Sequence, residues 1–313
     1  MMAYCDAHNH LQDERFGGQQ DALLSAARAA GVQRWVVNGS CENDWPDVQR
    51  LAAAQPGIVP SFGYHPWYLP ERTEHWQSTL IHALDTTTGA VIGEIGVDRW
   101  LPALSTDQRN HRFPALAGYE PATWVEQVEA FTWQWHLAAR RQLPATVHCL
   151  QAWGLLRELL AIAPRLDRGF LLHSYGGPAE MVEELARLGA YFGFPGYFLL
   201  ERKDRQREAF RKVPPERLLI ETDAPDQRLP DDLNAHPLTD PRTGQPLNHP
   251  ANLPKIYAEL ARHLGQPLPA LTAQVSDNFT RLFGAREAAT APVPGSDFGA
   301  CLPLTSAPAF PTV

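Results

Sequence analysis

Tyr4-Cys5-Asp6-Ala7-His8-Asn9-His10 is a short run that ends in two imidazoles. Side chains two apart on a strand face the same way, so Asp6, His8 and His10 share one face at the strand's end. A lone buried histidine is ordinary packing. Two at this spacing beside an aspartate point instead to a metal site, because imidazole and carboxylate are the ligands that Zn and Mn accept.

Working outward, the pattern repeats. Strand-like runs at 4–8, 34–39, 59–64, 90–95, 145–148, 169–173, 190–194 and 218–222 alternate with helical periodicities. Those periodicities lie near 20–30, 43–54, 73–84, 124–142, 152–162, 178–187 and 203–211, with two more near 251–264 and 271–283. Alternating strands and helices build a parallel sheet. Eight such units predict an α/β fold: a single-domain (β/α)8 TIM barrel over residues 1–284. No dinucleotide or phosphate-loop glycine motif follows any strand, which disfavours an open doubly wound sheet.

The segment at 124–142 is the clearest helix. Thr123 and Glu126 form a capping box, and Trp124, Val128, Phe131 and Trp135 make an apolar stripe that reads as packing. Residues 99–122 and the proline-rich stretch 224–250 read as irregular loops. The tail at 285–313, rich in Ala, Pro, Thr and Ser, is expected to be disordered.

Chemistry-bearing residues fall at the ends of the predicted strands. Gly63-Tyr64-His65-Pro66 closes the third, Gly93-Glu94-Ile95-Gly96-Val97-Asp98 the fourth, His148 the fifth and His173 the sixth. Glu221-Thr222-Asp223-Ala224-Pro225 closes the eighth. Barrel enzymes draw their catalytic groups from such positions, so a metal site is expected at the barrel's C-terminal mouth. Asp98 is read as a loop organiser and His249 as structural. Trp67 reads as loop packing, with stacking on a base as the alternative, and Ser174 and Tyr175 as either turn residues before Gly176-Gly177 or hydrogen-bond donors to a phosphate or sugar. Arg202, Lys203, Arg205, Arg207 and Arg211 interleave with acids and read as a solvated face.

The net charge is −8, with 27 basic and 35 acidic residues. A globally acidic surface does not suit a protein that grips long nucleic acid by counterion release, although a strand end or a small phosphodiester remains open. Four cysteines without a CxxC pair read as reduced thiols. No leader or membrane-length apolar run is read. The expectation is a cytoplasmic chain without a membrane or an obligate protein partner.

Together these motifs, with the closing Asn278-Phe279-Thr280-Arg281-Leu282-Phe283, resemble the TatD-type metal-dependent hydrolases of the amidohydrolase superfamily. The resemblance covers roughly residues 3–284. It implies a distorted TIM barrel, two divalent metal ions (Zn, Mg or Mn) and nuclease-type phosphodiester hydrolysis of DNA. It also implies that His8, His10, Glu94 and Asp223 hold one ion, and that Glu94 bridges to a second held by His148 and His173. Asp223 would orient or deprotonate the attacking water, His65 would sit near the substrate phosphate, and Glu221 would stand behind the ligands. Where the family shows His-x-Arg after strand five, this chain has His148-Cys149-Leu150. The loop at 99–122, longer than usual, would overhang the mouth. No lysine lies near the fourth strand, which disfavours a carbamylated-lysine bridge. Two further readings stand beside the nuclease: an amidohydrolase acting on a small C–N or ester substrate, and a non-catalytic metal-binding module.

Overall fold

The computed structural model describes residues 2–112 and 116–284; the expected tail at 285–313 lies outside the described residues. Eight parallel strands run in order: β1 (Tyr4–Asn9), β2 (Val32–Gly39), β3 (Ile58–Phe62), β4 (Val91–Asp98), β5 (Ala145–Leu150), β6 (Phe170–Leu172), β7 (Ala190–Pro195) and β8 (Leu218–Glu221). Each pairs with its sequence neighbour.

The ring closes between the first strand and the last. Asp223 N–H donates to the His8 carbonyl at 2.9 Å, and His10 N–H to the Ala224 carbonyl at 2.8 Å. Asp6 accepts from both the amide (2.9 Å) and the hydroxyl (2.6 Å) of Thr222. The aspartate of the opening motif is therefore a closure residue that buckles β1 to β8.

Helices cover the outside: α1 (Gln20–Ala29), α2 (Trp45–Ala54), α3 (Trp76–Thr86), α4 (Trp100–Ala103), α5 (Thr106–Arg112), α6 (Trp124–Arg141), α7 (Trp153–Ile162), α8 (Val182–Arg187), α9 (Asp204–Ala209), α10 (Leu253–Leu264) and α11 (Leu268–Phe283). The last two lie behind the seam. Tyr257 of α10 donates its hydroxyl to the Cys5 carbonyl at 2.8 Å. Asn278 of α11 donates to the carbonyls of Pro215 and Leu218 at 2.7 and 2.8 Å.

All eight expected strands are present. Two loops carry more structure than expected. Residues 99–122 contain α4 and α5. The first turn starts where Asp98 Oδ1 accepts from Leu101 N–H at 2.8 Å. The second starts at Ser105-Thr106-Asp107-Gln108, where Ser105 and Gln108 exchange side-chain and backbone bonds. That Ser-x-x-Gln capping box is a sequence signal for a helix start, set among prolines that favour a loop. Residues 224–250 contain a small antiparallel pair, β9 (Leu238–Thr239) with β10 (Pro246–Leu247).

Helix α6 begins at the expected capping box. Its buried face differs from the expected stripe. Phe131 and Trp135 are buried, but Trp124 is exposed, and Gln127 and Gln134 are buried in its place. Gln127 Oε1 accepts from the amide of Asp98 at 2.7 Å. Gln134 clasps Tyr64, accepting from its amide at 2.6 Å and donating to its carbonyl at 3.2 Å. The helix thereby holds the mouth ends of β3 and β4.

Candidate metal centre

His8, His10, Glu94, His148, His173 and Asp223 converge at the mouth, joined by His65. All but His10 are buried, and His10 is nearly so. Glu94 lies at the middle. It enters through Gly93, whose φ is +143° and whose absent side chain makes room for Thr146: a Cβ there would stand 1.9 Å from the Thr146 hydroxyl. Asp223 takes a left-handed φ of +53°, which a short polar side chain tolerates better than most.

The separations fall into two groups. His8 Nε2, His10 Nε2 and Glu94 Oε2 are mutually 3.3 Å apart. Asp223 Oδ1 is 3.5 Å from His8 Nε2 and 3.6 Å from His10 Nε2. Ligands about 2.0–2.1 Å from a tetrahedral ion are about 3.3–3.4 Å from one another. The three separations of 3.3 Å match the edges of such a shell, and the two to Asp223 are slightly longer. On the other side, Glu94 Oε1 lies 2.9 Å from His173 Nε2 and 3.2 Å from His148 Nδ1, which are 3.1 Å apart. The cluster is continuous: His8 with His173 and Asp223, and His65 with Glu94 and His148, also lie close enough to share an ion. The donor set fits divalent metal, and its two carboxylate edges fit a bridging Glu94.

Hydrogen bonds fix the tautomers, and so separate ligand from donor. His10 Nδ1 faces the Asn38 carbonyl at 2.8 Å, so that nitrogen carries its proton and Nε2 offers a lone pair to the site. His148 Nε2 faces Asp98 Oδ2 at 2.8 Å, which leaves Nδ1 for the site. His65 is the reverse. Its Nδ1 accepts from Trp67 N–H at 3.1 Å, so a neutral ring carries its proton on Nε2, 3.4 Å from Glu94 Oε1.

Charge follows this arrangement. Burial would lower the pKa of His10, but the hydrogen bond and charge of Glu94, with Asp223, raise it to about 10. His148, against the same burial, is raised to about 9 by Asp98 and Glu94. Burial lowers His65 to about 4 and raises Asp223 to about 6. Glu94, which burial alone would raise, is held well below the ordinary carboxylate range by His173, His65 and His8.

Behind the cluster stand residues that the sequence reading placed only in part. Asp98 is buried. It binds His148 and the Trp67 indole (2.9 Å) as well as organising its loop. Its i+4 spacing from Glu94 on one strand was the available signal. Glu221, as expected, backs the site. It accepts from the amide (2.5 Å) and hydroxyl (2.8 Å) of Ser174, and its Oε1 lies 3.8 Å from His173 Nδ1. Burial raises its pKa well above the ordinary range. Gln227 had no signal. Its amide donates to Asp223 Oδ2 and to the Ser174 hydroxyl, both at 2.6 Å.

Trp67 is half-buried, its ring 5.1 Å from His65 and 5.9 Å from His148; Trp100 of α4 lies 6.0 Å from it. The long loop thus starts at the mouth. Tyr175 packs in the core with its hydroxyl on the Pro178 carbonyl, and His249 accepts from Ala251 N–H, as structural residues would. Leu150 is half-buried and its carbonyl accepts from Arg99 N–H at 2.9 Å. No described helix is long and apolar enough to cross a membrane.

A parallel barrel with this set of imidazoles and carboxylates at its mouth belongs to the metal-dependent hydrolases of amidohydrolase-like architecture. Residues 5–284 match the family described as TatD related DNase, and the chain belongs to that family. A 3'-5' ssDNA/RNA exonuclease TatD from Klebsiella pneumoniae is 32% identical over 282 residues, covering 88% of this chain and 95% of that protein. The protein of the same name from Escherichia coli K12 is 29% identical, covering 88% and 96%. Among solved structures, a TatD homologue from Escherichia coli K12 superposes with a TM-score of 0.74 at 25% identity, covering 90% of this chain and 98% of that one. A TatD family hydrolase from Entamoeba histolytica shares the fold, with a TM-score of 0.73 at 19% identity, covering 91% and 100%.

Proposed function

We propose that the chain is a two-metal phosphodiesterase that trims single-stranded DNA or RNA from an end. In this reading His8, His10, Glu94 and Asp223 would hold one divalent ion, and Glu94 with His148 and His173 would hold a second. The observation that carries it is the tautomer pattern: His10 and His148 each spend one nitrogen on an oxygen acceptor and aim the other at Glu94.

When bound, a pair of divalent ions lowers the pKa of water and neutralises charge on a scissile phosphate. The chain supplies the rest. Asp223 Oδ2 is pinned by Gln227, so Oδ1 keeps its aim beside His8 and His10. Asp223, a buried carboxylate fixed beside His8 and His10, is placed to orient a water and accept its proton. His65, neutral at pH 7, presents an Nε2–H donor to a phosphate oxygen. Trp67 packs its ring against His65 on that side, with Trp100 next to it. The names of the curated relatives support nucleic acid as the substrate class. Three buried free cysteines, Cys5, Cys41 and Cys149, support a reducing compartment such as the cytoplasm.

The test uses purified protein stripped with chelator and reloaded with Mg, Mn or Zn, against end-labelled single-stranded DNA and RNA. The expected result is metal-dependent release of nucleotides, reduced about 1000-fold or more in Glu94→Gln. Failure to cleave any phosphodiester with any of the three metals, alongside turnover of amides or lactones, would replace this reading.

A further inference from the structure

We propose that a groove between the β7 and β8 loops holds the phosphate next to the scissile one, which makes the enzyme selective for polynucleotides over single diesters. This rests on the phosphodiesterase reading above.

The groove has a volume of about 340 Å3. Tyr197, Leu200 and Arg202 line one side, and Gln227, Arg228 and Pro230 the other. It begins one side chain from the metal centre, because Gln227 is both its wall and the partner of Asp223 Oδ2 at 2.6 Å. A chain whose scissile phosphate sits at Glu94 and Asp223 would meet this groove with its neighbouring nucleotide.

Its charge is unlike the rest of the surface. The whole chain is acidic at −8, yet Arg202 of the lining and Lys203, its neighbour in sequence outside the lining, both bring their cationic heads over the Tyr197 ring, at 4.9 and 4.7 Å from its centre. Neither has an acidic partner among the described residues. This sets them apart from Arg207 and Arg211 on the same stretch, which pair with Asp204 and Glu208 as a solvated face would. Seating on an aromatic face fixes a cation in place before a ligand arrives. Arg228 pairs with Asp231 through its terminal nitrogen, while its Nε is buried without a partner among the described residues. Asp226, the carboxylate of this groove nearest the metal centre in sequence, is occupied by both terminal nitrogens of Arg15 at 2.9 and 2.7 Å. Asp231, the other carboxylate of the lining, is held by Arg228. The cations left without an acidic partner among the described residues are Arg202 in the lining and Lys203 next to it, a local positive charge that complements a phosphodiester backbone.

The experiment compares kcat/KM for a short single-stranded oligonucleotide with that for bis-p-nitrophenyl phosphate, which has one phosphate and cannot reach the groove. The wild type is set against Arg202→Ala with Lys203→Ala, and against the charge-keeping Arg202→Lys. In the double variant the ratio of the two kcat/KM values should fall about tenfold or more, mostly through KM. The salt dependence of oligonucleotide cleavage should become shallower, by about 0.7 in log–log slope for each phosphate that is no longer neutralised. Arg202→Lys should recover part of both. An unchanged ratio with an unchanged salt slope would overturn the groove and leave the phosphodiesterase standing. A wild type that cleaves neither substrate would overturn the phosphodiesterase reading itself.

Discussion

A single carboxylate decides how His148 is used. Asp98 holds Nε2 and so turns Nδ1 toward Glu94. Outer partners of this kind fix ring orientation and raise ligand basicity, and their loss costs about 10–100-fold in metal affinity. Asp98→Ala should therefore weaken metal binding by that order, measured by competition with a chromophoric chelator, with Asp98→Asn between it and the wild type. Activity at saturating metal should fall less than affinity does. Unchanged affinity in both variants would show that His148 is oriented by other groups. At this same scale the sequence was most readable. His8, His10, His65, Glu94, His148, His173 and Asp223 announce themselves because they are chemically costly residues at the ends of apolar strands. Asp98 was half-read, as an organiser of its loop. Gln227 was silent, because an amide in a proline-rich loop looks like any other solvated residue until the fold brings it to Asp223.

Between element and site the coupling runs through helix α6. Gln134 satisfies both backbone groups of Tyr64, the residue before His65, and is itself fully buried. Gln134→Leu keeps the volume and removes the partners. An orphaned buried backbone group costs about 1–3 kcal/mol, so the full chain should lose stability of that order in urea titration, with KM for a phosphodiester rising as His65 loses its footing. The helix itself was legible from its capping box and apolar period. Its register was not. The stripe built on Trp124 missed the two buried glutamines, because periodicity ranks residues by hydrophobicity, and a glutamine that replaces a strand's missing partner scores as surface. The short helices α4 and α5 were hidden for a related reason: prolines and glycine around them masked the Ser105–Gln108 cap.

Over the whole molecule, the cluster makes stability and metal inseparable. His10 and His148 carry folded-state pKa values of about 10 and 9, above the ordinary 6.5. Between pH 6.5 and 10 these two groups thus bind more protons in the metal-free folded protein than in the unfolded chain. Stability from these groups is full below pH 6.5 and drains away as pH rises through 9 and 10. On the proposed reading a metal ion would take the place of those protons, so binding at pH 7 should release protons, seen as a calorimetric enthalpy that varies with buffer ionisation. Thermal scans should show the metal-free melting temperature dropping from pH 7 to 10 while the metal-loaded protein holds, the gap widening with pH. Parallel curves would mean that the ions bind elsewhere. The seam between β1 and β8 adds a consequence in time. The imidazoles of one proposed ion site lie on and just after the first strand of the barrel, and Asp223, their carboxylate companion, is made only after the eighth strand. A chain that stops before the eighth strand lacks Asp223 and the bonds that shut the ring, so on the proposed reading hydrolysis waits for closure.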